Sequence, residues 1–139
     1  MSLELNAVQV NIIGGVMPVS TAKIKEVIES WMEISSKYPF PVLFETHRNS
    51  TLNDLYSTLE VLDLVPDLRL CADLSHFVVD REFHLPIEDR DRNFISKIIS
   101  HSDSFQGRVA SNEQIQIAID FPQHKEWIKI LLIVLLKGL

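Results

Sequence analysis

The sequence has few of the features that mark nucleic-acid-binding, secreted or membrane-spanning proteins. No block of Lys or Arg occurs, and 19 acidic against 13 basic residues leave a formal net charge of -6. Such a balance gives no electrostatic footprint for a phosphate backbone, so nucleic acid is not an expected partner. A single cysteine, Cys71, excludes an internal disulfide. It lies in an apolar run, where a lone thiol behaves as a small hydrophobe, and a reducing compartment fits it best.

Long hydrophobic runs are also missing. The longest, "ILLIVLL" from Ile130 to Leu136, is bounded by Lys129 and Lys137. It falls far short of the ~18 apolar residues a spanning helix needs, so it reads as a buried helix or as one that has lost its covering partner, and no membrane association is expected. The N-terminus has neither the basic segment nor the apolar stretch of a signal peptide, and the expected location is cytoplasmic.

What remains is 139 residues, 46% of them hydrophobic. That suffices for one domain with a proper core and is too short for two, so residues 1–139 are expected to form a single domain. "AVQVNII", Ala7 to Ile13, is β-branched and stops at Gly14 and Gly15, where a tight turn is expected. From Ser20 or Thr21 as N-cap, Ile24, Val27, Ile28, Trp31 and Ile34 recur at helical spacing up to about Lys37. Pro39 and Pro41 break that helix and introduce a second strand, "FPVLFET", Phe40 to Thr46.

Ser50 or Thr51 then caps a helix carrying Leu52, Leu55, Leu59 and Leu62, which Pro66 halts. A third strand runs from Leu68 to Leu74. The charged stretch Asp80 to Arg92 reads as a surface loop leading into a helix with Phe94, Ile95, Ile98 and Ile99 turned inward. A weaker strand, Ser104 to Ser111, precedes a last helix from about Pro122 to Lys137. Strand and helix thus alternate four times, each strand short and apolar on both faces. That order predicts an α/β fold with a parallel sheet and helical crossovers.

In such a sheet the functional edge is where strands end and loops begin. Strand two ends in Glu45, followed by Thr46, His47 and Arg48; strand three ends in Asp73, followed by Ser75 and His76; strand four carries Gln106 and Arg108 in its last half. Two carboxylates with imidazole and amide groups suit a divalent ion such as Mg, Mn, Co or Zn. An ion of that kind could stabilise the enediolate formed when a proton leaves the carbon beside a sugar carbonyl. Each residue also has a plainer reading: Asp73 as the cap of whatever follows, His76 as a surface or hydrogen-bonding residue, His47 and Arg48 as a solvated loop.

Together "FETHRNS" and "LRLCADLSHF", with "GRVASNEQIQI" and "DFP" later, resemble the sugar phosphate isomerase/epimerase group of the xylose isomerase-like TIM-barrel superfamily. The resemblance runs from about Val8 to about Trp127. It implies a partial (β/α)8 barrel, a half-barrel corresponding to about strands four to seven, since a closed barrel takes about 250 residues. It also implies Glu45 as catalytic base and metal ligand, Asp73 as a ligand, and Gln106 where relatives carry a histidine ligand. His76, Arg108 and His47 become contacts for a sugar or sugar phosphate. A second Glu, on the family's last strand, has no counterpart. The expected activity is a metal-dependent isomerase or epimerase incomplete in this chain. The alternative is a non-catalytic half-barrel that binds or assembles, pairing as a homo-oligomer or with a missing complementary half.

Overall fold

The computed structural model describes residue 4, residues 6–15 and residues 20–137. Four strands form one parallel sheet in the order β1 (Val10–Ile12), β2 (Val42–Glu45), β3 (Leu70–Ala72) and β4 (Ser102–Phe105). Between them lie α1 (Thr21–Ser35), α2 (Leu55–Leu64), and the pair α3 (Leu74–Asp80) and α4 (Asp89–Ser100). A 3-10 turn, Pro122–His124, leads into α5 (Lys125–Lys137). No helix among the described residues is long and apolar enough to cross a membrane.

Strand order equals sequence order, and the helices follow suit: α1 packs beside α2, α2 beside α4, and α4 beside α5. Ile24 and Ile28 of α1, Leu55, Leu59 and Leu62 of α2, and Ile95, Ile98 and Ile99 of α4 join one buried cluster with Phe44, Leu70 and Ala72 of the strands. The helices therefore cover one face of the sheet. Trp31 stacks on Phe44 at 5.6 Å between ring centroids and ties α1 to the sheet.

The expectation that every strand is apolar on both faces is corrected. Side chains alternate along a strand. Ile12, Phe44, Leu70, Ala72 and Phe105 turn to the helices. The opposite face carries Asn11, Leu43, Glu45, Cys71, Ser104 and Gln106, where Asn11 reaches across to the Cys71 thiol. The sheet has an oily face and a largely polar one.

Local signals explain most boundaries. Ser20 caps α1 by accepting from the Lys23 N–H, and Val65 ends α2 just before Pro66. Asp89 and Asp91 in the first turn of α4 and Lys97 in its last complement the helix dipole. The cap of α2 is Asp54, not Ser50 or Thr51. Those two sit in a turn in which Ser50 donates to the His47 carbonyl and accepts from Leu52 N–H, tucking Leu52 into the core.

Gly14 and Gly15 do not take a left-handed conformation. Gly14 serves close approach instead, because a Cβ there would meet the Trp31 ring at 2.6 Å and Thr51 Oγ1 at 2.9 Å. The third strand is shorter than expected, since Leu74 already belongs to α3, a helix the sequence reading left as strand end and loop. The fourth strand lies earlier, at Ser102–Phe105, so Gln106 and Arg108 follow it instead of ending it. Gln106 is still held by the sheet, its N–H donating to the Ala72 carbonyl at 2.9 Å.

Candidate functional site at the strand ends

The carboxyl ends of β2, β3 and β4 converge on one polar cluster, and the backbone beyond each strand explains how. After β2, the Thr46 N–H still bonds the Cys71 carbonyl at 3.2 Å, so the chain leaves the sheet one residue late. The buried Thr46 hydroxyl then accepts from the Asp73 N–H at 2.9 Å and donates to the Asp73 carbonyl at 3.2 Å. One side chain thus fixes where β3 ends relative to β2. His47 follows, its N–H on the Leu52 carbonyl and its Nδ1 2.5 Å from the Arg48 carbonyl, within a turn held to Gly14 by the Thr51 N–H.

Asp73 is fully buried and is the N-cap of α3. Its Oδ1 accepts from the Ser75 N–H at 3.1 Å and from the Ser75 hydroxyl at 2.5 Å. Its Oδ2 has no hydrogen-bond partner among the described residues and lies 3.4 Å from Arg108 Nε and 3.5 Å from His76 Nε2. The plain reading of Asp73 as a cap is therefore correct for one oxygen, and the other is left over. Arg108, a third exposed, supplies the positive charge that makes a buried carboxylate tolerable.

His76 overturns the expectation of a surface histidine. It is buried on the first turn of α3, and among the described residues neither ring nitrogen has a hydrogen-bond partner. Burial pushes its pKa down to about 4; the Asp73 carboxylate pulls the other way, while His47, Arg108 and Arg48 nearby lower it further. The ring is neutral at pH 7, so its contact with Asp73 is not an ion pair there. The His47 ring lies over it at 4.1 Å between centroids, tilted by 53°.

Glu45, the last residue of β2, is buried on the polar face and accepts from Gln106 Nε2 at 3.3 Å. Between them sits the buried Cys71 thiol, 3.2 Å from Asn11 Nδ2 and 3.9 Å from Gln106 Nε2. Burial, with the Glu45 and Asp73 carboxylates nearby, raises its pKa even though Ser104 and Gln106 hydrogen-bond it. The thiol stays protonated, as the reading of a small hydrophobe requires.

All six candidate residues thus lie at one rim. Glu45 meets Gln106, Asp73 sits between His76 and Arg108, and His47 covers His76. Asn11 escaped the sequence reading, which noted Thr46 and Ser75 at the strand ends without giving them a role. Asn11 was visible as the one polar residue inside "VNI", whereas the roles of Thr46 and Ser75 depend on where the next strand comes to rest.

The divalent ion does not fit this donor set. Among the described residues no three His, Cys, Asp or Glu side chains form a group able to hold a metal. Gln106 turns an N–H towards Glu45, and a guanidinium stands at the spare oxygen of Asp73. A cation would have to displace another cation there. No protein-family model matches the chain, and neither a curated protein nor a solved structure does.

Proposed function

We propose that the chain is a sugar phosphate isomerase- or epimerase-like half-barrel whose strand-end cluster binds a sugar or sugar phosphate. The observation that carries this reading is the set of unsatisfied atoms at the rim: Asp73 Oδ2, His76 Nδ1 and His76 Nε2. Buried polar groups are nearly always paired, and leaving one unpaired costs about 1–3 kcal/mol. A ligand hydroxyl donates to the carboxylate oxygen while accepting from an imidazole N–H, so one group answers two of the three. Helices on a single face, in the same order as the strands, support a barrel-type arrangement over a doubly wound one.

In this reading Glu45 takes the proton from the carbon beside the sugar carbonyl, leaving an enediolate. Arg108 and His47 face the oxygen atoms or phosphate of the ligand. Return of a proton from the opposite face needs an acid that the described residues do not supply. Titration calorimetry with fructose 6-phosphate and with fructose tests binding, and NMR in D2O tests exchange of the proton beside the carbonyl. Saturable binding lost in Asp73→Asn, with exchange lost in Glu45→Gln, is the expected result. A folded protein that takes up neither ligand refutes the proposal.

A second reading, a binding module without catalysis, is favoured by one observation: the Gln106 amide occupies Glu45. Binding without deuterium exchange selects it.

A further inference from the structure

We infer that two copies of this chain join edge to edge into one eight-stranded parallel barrel, each completing the other's site. The inference rests on the half-barrel reading above and names the partner of that same site.

The edges carry it first. The Val10 N–H donates to the Pro41 carbonyl, so by the alternation of a parallel strand the peptide groups of Asn11 point away from β2. The Gln106 N–H donates to the Ala72 carbonyl, so those of Phe105 point away from β3. Among the described residues both outer strands thus turn ladder groups away from the sheet, and an open parallel edge is a template for another strand. Because β1 and β4 run the same way, a two-fold axis along the strands sets β4 of one copy beside β1 of the other twice over. Four strands and four strands make eight, the number at which a sheet closes with its interior just filled by side chains. The interface is isologous and ends growth at the dimer.

The surface carries it second. In that arrangement α5 of one copy comes beside α1 of the other. Several exposed apolar side chains lie on these edge elements, Val8 (88% exposed) and Ile13 by β1, Ile34 on α1, and Leu132 and Leu136 (70%) on α5, while others such as Tyr56 and Leu64 of α2 lie elsewhere. A second copy covers both sets at once, which a single peptide or helix cannot do. The polar faces then meet around the barrel axis, and the partner's Glu45 stands across the axis from this one. That provides the second acid the site lacks.

Sedimentation equilibrium of the whole chain tests this, with the expected mass twice the 15.9 kDa of one chain. Asn11→Pro removes an N–H that makes no bond to β2, and should weaken the dimer at least tenfold while circular dichroism is unchanged. Should Asn11→Pro fail to fold, Val8→Glu with Leu136→Glu alters two largely exposed side chains and gives the same expected loss. A folded monomer at 100 µM overturns the inference, as does a dimer indifferent to these substitutions. Sugar binding by such a monomer would leave the proposed function standing, and a dimer that binds no sugar would remove that function alone.

Discussion

Lowering the pH from 7 towards 4.5 should destabilise the protein through His76. The unfolded chain binds a proton on this residue near pH 6.5, whereas the folded chain takes it up only at about pH 4, because the ring is buried. Between those values the unfolded state holds more protons, so stability rises with pH across the window and is lost as pH falls through it. Each unit of pH is worth about 1.4 kcal/mol, so the descent from 6.5 to 5 removes roughly 2 kcal/mol and the full window roughly 3. Against a typical domain stability of ~5–15 kcal/mol that is a large fraction.

Urea denaturation followed by Trp fluorescence at a series of pH values measures it. The variant His76→Gln is neutral throughout and removes this slope. Comparing the two chains cancels the other titrating groups, among them Asp80, whose carboxyl is held up by burial and by Asp54, and Asp103, held down by Arg69. A wild type whose stability is flat from pH 6.5 to 5, or a variant with the same slope, refutes the claim that a buried, neutral imidazole is built into the rim.

Three further substitutions probe the structure by thermal or urea denaturation. Thr46→Val leaves the Asp73 N–H and carbonyl without their hydroxyl partner and should cost about 1–3 kcal/mol, with Thr46→Ser recovering most of it. Phe77→Ala empties a fully buried site beneath α3 and should cost about 3–5 kcal/mol; a loss under 1 would contradict that packing. Gly14→Ala forces Trp31 away from its stack on Phe44 and should cost about 1–3 kcal/mol, with a changed Trp emission. An unchanged Tm and spectrum would show that the close approach does not matter.

The order of elements was legible because it rests on local signals. Helical spacing from Ile24 to Ile34, prolines at 39, 41 and 66, and short apolar runs correspond to α1, β2 and the end of α2. The candidate residues were legible for a related reason, since strands of one parallel sheet end at one rim whatever the details. Less legible was anything decided by a neighbour in space. The α3 helix depends on Asp73 capping it, and Asp73 is placed by Thr46 from a strand 27 residues earlier. The shortness of β4 follows from "SDSF" having a single large apolar residue to turn towards the helices. The burial of His76 could not be read from its type or spacing, because it depends on where α3 comes to rest, with the His47 ring over His76.

The division of the sheet into an oily and a polar face has a consequence for how the protein can vary. Ile12, Phe44, Leu70 and Ala72 answer to the helices, while Asn11, Glu45 and Gln106 lie on the opposite face and, in the proposed function, answer to the ligand. A saturation-mutagenesis screen scored for folding and another scored for ligand should therefore return complementary stripes along each strand. New ligand preferences can be sought in one stripe with the scaffold left intact, since at most strand positions neighbouring residues serve different masters.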